Sequence, residues 1–130
     1  METSEKVSVN MNIATVSQID LLVDHGYYSN RSDFINQAVR QALDAKKSVI
    51  EETGKRQSDL DFRWFIGIMS LDQEELLKAQ RNQMKIKIKG YGLLGISSEL
   101  DDLVVENVES IWVKGKVVCS DRIKQHFGIR

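Results

Sequence analysis

Residues 6–11 read Lys-Val-Ser-Val-Asn-Met, an alternation that a single chain cannot satisfy by itself. Val7, Val9 and Met11 fall on one face, and Lys6, Ser8 and Asn10 on the other. A period of two is that of a half-buried strand. A lone strand is unstable and needs a neighbour to pair with. The next strand signal comes only after residue 61. The partner is therefore expected to be the same strand of a second copy. The polar face carries no acid; it offers an ammonium, a hydroxyl and an amide. Such groups can donate to or accept from base edges, and a two-stranded ribbon fits the major groove of DNA.

Two short amphipathic helices follow. Val16, Ile19, Leu22 and Val23 recur at helical spacing. His25-Gly26 closes this helix, because Gly takes the left-handed C-terminal conformation freely. Asn12 is the expected cap at its start, with Asn10 a rival that could bond locally. Tyr27-Tyr28-Ser29 makes the turn. Asn30 then caps the second helix, and Asp33 completes the pattern of a capping box. Phe34, Ile35, Ala38, Val39, Ala42 and Leu43 give this helix a wide apolar face.

Strand, helix, turn, helix in this order resembles the ribbon-helix-helix family of DNA-binding proteins, the Arc/MetJ/CopG type. The likeness rests on KVSVNMN and on GYYSNRSDFINQAVRQAL, and it covers residues 5–46. Asn12 stands where many members of the family carry Pro. The resemblance implies that two chains pair their strands antiparallel and that four helices clasp into one core. It implies that the ribbon enters the major groove, where Lys6, Ser8 and Asn10 contact bases. It also implies that the start of the second helix, Asn30, Arg31 and Ser32, anchors phosphates. The first N–H groups of a helix are unpaired and its dipole is positive there, which suits an anion. Each assignment has a plainer rival. The strand face could be merely solvated, and Arg31 and Ser32 could be ordinary first-turn residues.

Charge weighs against nucleic acid. Residues 1–47 hold five Lys or Arg and six acids. DNA affinity rests largely on phosphate neutralisation, so one such dimer should bind weakly and gain from higher assembly. No apolar run is long enough to span a membrane, and METSEK lacks the apolar core of a signal peptide. A single cysteine, Cys119, suits a reducing cytoplasm, and its apolar flanks make it a small core residue. A cytoplasmic protein is expected.

Residues 48–61 turn polar and read as a linker, with Gly54 ending any continuation of the second helix. Residues 62–130 then form a further domain. Strands are expected over 62–69, 84–89, 104–108 and 111–118, and residues 93–96 continue the second of these or start another after the Gly90–Gly92 bend. Helices should begin after Ser70 and after Ser120. Ile86-Lys87-Ile88-Lys89-Gly90 echoes Ile111-Trp112-Val113-Lys114-Gly115, which hints at Gly-bent strand units stacked like solenoid rungs. The fold class is therefore α+β: a ribbon-helix-helix unit over 1–47 and a mostly β C-terminal domain with short helices.

Chemistry is sparse. His25 and His126 are far apart and no metal-ligand spacing appears, so no metal or other cofactor is expected. Gly90-Tyr91-Gly92-Leu93-Leu94-Gly95 lacks the Lys-Ser/Thr pair of a phosphate cradle. Glu74-Glu75 and Asp101-Asp102 read as solvated acids, and an enzyme is not indicated. The leading function is a sequence-specific DNA-binding transcriptional regulator, a repressor, that works as a homodimer on double-stranded DNA. Residues 62–130 would add oligomerisation, sensing or partner binding. Two alternatives stay open. One is an antitoxin of a toxin–antitoxin pair. The other is an assembly protein that keeps the ribbon dimer without binding DNA.

Overall fold

A computed structural model describes residues 4–130. The chain divides into two compact units, residues 1–48 and 49–130, and residues 1–3 of the first lie outside the described residues.

The first unit consists of two helices in contact, α1 (Ile13–Asp24) and α2 (Arg31–Ala45), after a segment, residues 4–12, that forms neither helix nor hydrogen-bonded strand. Asn12 caps α1, its Oδ1 accepting from the Ala14 N–H at 2.7 Å. At the other end Gly26 has φ +81, and the Gly26 and Tyr27 N–H groups donate back to the carbonyls of Val23 and Leu22. This closes α1 as the sequence suggests. Tyr28 then packs edge-on against Phe34 with ring centroids 4.9 Å apart, fixing the turn onto α2.

Helix α3 (Lys47–Asp59) covers the stretch that reads as polar linker, and Gly54 lies in its interior rather than ending a helix. A Cβ at Gly54 would lie 3.1 Å from the Trp64 indole nitrogen, a tight contact.

Three strand–helix pairs follow: β1 (Phe62–Ser70) with α4 (Gln73–Arg81), β2 (Ile86–Gly95) with α5 (Asp101–Asn107), and β3 (Val108–Val118) with α6 (Asp121–Phe127). The strands form one parallel sheet in the order β1-β2-β3. Strand residues of one parity face the helices. Phe65, Met69, Ile88 and Leu94 are buried, and they share a core with Leu71, Leu76, Val104 and Ile123 on the helix side. The fold is α+β, and its C-terminal helices are short, seven to nine residues.

Sequence echo and structural repeat differ in register. Gly115 pairs with Gly92, not Gly90, and β1 supplies a third rung with Gly67 in line. All three glycines have positive φ (+106, +129 and +143). A Cβ on Gly92 would collide with the Gly67 carbonyl oxygen, and one on Gly115 with the Gly92 carbonyl oxygen. The rungs can therefore nest only through glycine.

Two local expectations are corrected. Residues 104–107 belong to α5, not to a strand. Their β-branched residues suggested strand, but Val104 and Asn107 are both buried three positions apart, a helical spacing. The cap of α4 is Asp72, which accepts from the Glu74 N–H at 3.0 Å, whereas Ser70 ends β1. Asp102 is solvent-exposed, as read from the sequence, while Asp101 is half-buried. They take hydrogen bonds from Ser120 Oγ and the Arg122 guanidinium, both at 2.6 Å, and so tie α5 to the start of α6.

Candidate nucleic-acid interface

Lys6, Ser8 and Asn10 are all exposed. So are the apolar residues between them: Val7 is 76% exposed, Val9 69% and Met11 39%. Both faces of the segment thus lie open in one chain. Strand geometry needs hydrogen bonds from a second backbone, and the only apolar side chain buried among the described residues of this unit is Ile19 of α1. Helix α2 buries none, and Val39 and Leu43 are about half exposed on its apolar face.

The start of α2 is tightly built. Asn30 accepts from the Asp33 N–H at 2.8 Å, and Asp33 accepts in return from the Ser29 N–H at 3.0 Å. Gln37 donates to the same carboxylate at 3.0 Å. The Ser29 N–H, above all, and Gln37 hold the Asp33 carboxyl below the usual aspartate range. The first intrahelical bond is from the Phe34 N–H to the Asn30 carbonyl, so the N–H groups of Arg31 and Ser32 precede the ladder. Asn30, Arg31 and Ser32 therefore do come together at one helix end.

Arg31 carries a feature that its sequence position did not announce. Its Nε and Nη2 donate to the two carboxylate oxygens of Asp20 on α1, at 2.7 and 2.8 Å. The side-on pair lowers the Asp20 pKa and raises that of Arg31, in each case chiefly through the hydrogen bond between them. Arg31 thus joins α1 to α2, and much of its charge is already balanced. Asp20 sits on the polar face of α1, eleven residues upstream. Only the turn brings the two together, which is why spacing alone did not mark the pair.

Among the described residues no cluster of His, Cys, Asp or Glu could hold a metal ion, and no helix is long and apolar enough to cross a membrane. Burial raises the Cys119 thiol above its ordinary value.

A family model described as the Ribbon-Helix-Helix transcriptional regulator family matches residues 2–124. An uncharacterized protein of Methanocaldococcus jannaschii is 33% identical over 94 residues, covering 65% of this chain and 97% of that relative. No solved structure matches the chain significantly. The chain belongs to the ribbon-helix-helix transcriptional regulator family.

Proposed function

We propose that this member of the ribbon-helix-helix family is a sequence-specific, DNA-binding repressor that acts in the cytoplasm as a homodimer. The reading rests on the open alternation at residues 6–11. Val7, Val9 and Met11 are exposed in one chain, and only a second copy of the strand gives them a core. Pairing them turns Lys6, Ser8 and Asn10 outward as one ribbon face, fit for base edges in the major groove. Asn30 and Ser32 then present a capped helix start to a phosphate, through backbone N–H groups and the helix dipole. Arg31 adds its guanidinium, with the edge toward Asp20 already taken. Residues 62–130 form a separate module that links dimers, senses an effector or binds a partner.

The Asp20–Arg31 pair and the acid excess of residues 1–47 favour one rival, an assembly protein that kept the ribbon dimer and lost DNA. Titration of random duplex DNA at several salt concentrations separates the two. A DNA-binding dimer loses affinity linearly in log salt, with a slope of about −0.9 per phosphate contacted. A flat response, or none at low salt, removes the repressor reading.

A further inference from the structure

An all-parallel sheet normally has both faces covered. Here α4, α5 and α6 pack on one face, through Leu76, Val104 and Ile123. The other face is built differently. Its β1 positions are Phe62, Trp64, Ile66 and Ile68; its β2 positions are Lys87, Lys89, Tyr91 and Leu93. On β3 they are Ser110, Trp112, Lys114 and Lys116. The three strands contain one carboxylate, Glu109, at the irregularity where β3 begins.

Three aromatic rings cross this face from strand to strand. Trp64 meets Tyr91 at 5.7 Å and Tyr91 meets Trp112 at 5.5 Å, each edge to face. Lys89 bridges the row, its Nζ 5.2 Å from the Phe62 ring and 5.5 Å from the Trp112 ring. Trp64 is half-buried where α3 approaches at Gly54, while Tyr91 stays 44% and Trp112 47% exposed. Toward β1 the face is apolar; toward β3 it is basic. A second copy laid on it would bring four lysines against four with no acid to pair them. A polyanion with flat apolar faces meets both halves: its bases suit the aromatic row and its phosphates the lysines.

We propose that this sheet face binds single-stranded nucleic acid, with bases stacked on Tyr91 and Trp112 and phosphates against Lys89, Lys114 and Lys116. Exposed aromatics on a sheet, flanked by lysines, provide sequence-tolerant stacking of this kind. The site is separate from residues 6–11 and does not depend on the ribbon's reading of duplex DNA.

The test uses the full chain and a labelled oligothymidylate of about 15 nucleotides, a length that covers one such site. Binding should raise the label's anisotropy and quench tryptophan fluorescence, and saturating random duplex should leave both signals in place. Trp112→Ala and Tyr91→Ala should each weaken binding about tenfold, within the range that stacking one base provides. The double variant Lys114→Glu, Lys116→Glu should weaken it further and lower the salt slope by about 1.4, two phosphates on a single strand. That charge variant alters two exposed side chains, so it reports even if Trp112→Ala fails to fold. The proposal is overturned by unchanged anisotropy in the wild type, by displacement of the oligonucleotide with duplex, or by unaltered affinity in the charge variant. It is also overturned if Trp112→Ala halves the solution mass of the protein, since the face would then be covered by a second copy.

Discussion

In residues 1–48 one apolar side chain among those described, Ile19, is buried; in residues 49–130 Leu76, Ile88, Leu94, Val104 and Ile123 are fully enclosed. The second unit closes its core within one chain, because each strand is followed by a helix that returns to the same face. The first unit has apolar stripes on a strand segment and two helices, yet they are left open. A piece of this size cannot bury enough surface alone. The difference gives the two units different stabilities to concentration: the first should behave as a bimolecular fold, the second as a unimolecular one.

Replacing Val9 by Asp tests this most severely. It would put two carboxylates into the small core shared by paired strands, at a cost of several kcal/mol. Size measurement should show loss of the dimer, and circular dichroism should lose the helical signal of the first unit while the second keeps its thermal transition. A folded dimer with Asp at position 9 would refute strand pairing.

The second unit has its own critical positions, and they are not its largest side chains. Gly92→Ala should destabilise by roughly 2–4 kcal/mol, because a positive φ is strained for Ala and the methyl meets the Gly67 carbonyl oxygen. Gly67→Ala suffers the same backbone strain, but its methyl meets nothing, so the loss should be about half as large. Urea titration of both variants decides this. Equal losses would show that the nesting of the rungs contributes nothing beyond backbone strain.

On the DNA side, Asn10→Ala should cost ~1–3 kcal/mol on the preferred site and little on random duplex. Equal losses on both would remove Asn10 from base reading. Arg31→Ala should weaken all sequences alike and lower the salt slope by about one. Asp20→Ala is the sharper companion. It releases the guanidinium, so affinity for random duplex should rise if Arg31 meets a phosphate. Unchanged or weaker binding by Asp20→Ala would leave Arg31 as a strut between α1 and α2.

How much of this was legible in the sequence follows from which interactions are local. The Asn12 and Asn30 caps, Gly26, the Asp33 box and the Ser120 cap all act within a few residues, and each is where the sequence put it. The Asp20–Arg31 pair and the row of Trp64, Tyr91 and Trp112 depend on packing between elements. A hint of the row was present, since Trp64 and Trp112 both stand three residues before an aligned glycine. The more conspicuous Ile-Lys-Ile-Lys echo concealed it by two residues. Parity is the same in both registers, so the echo keeps each residue's face while misaligning the rung contacts. Residues 104–108 misled because strand propensity of Val competes with burial periodicity over a very short span.

The smallest expected effect concerns acid. Asp20 and Asp33 both titrate below the ordinary aspartate value of 3.8, through the Arg31 guanidinium and the Ser29 N–H respectively. A carboxylate with a depressed folded pKa stabilises the native state above its unfolded pKa. That contribution fades as pH falls from the ordinary value through the depressed one. Both groups are only partly buried and remain solvent-screened, so each contribution is slight. They nonetheless act on one place, the turn that sets α2 on α1. Exchange protection at Ser29 and at the first turn of α2, taken relative to the intrinsic amide rate at each pH, should therefore fall below the ordinary aspartate range, before that of the β2 amides. Asp33→Asn should bring much of that loss of protection to neutral pH, since an amide oxygen accepts the Ser29 N–H without charge. If wild type and Asp33→Asn exchange alike at neutral pH, the capping box contributes geometry and not electrostatics, and the acid sensitivity of the turn rests on Asp20 alone.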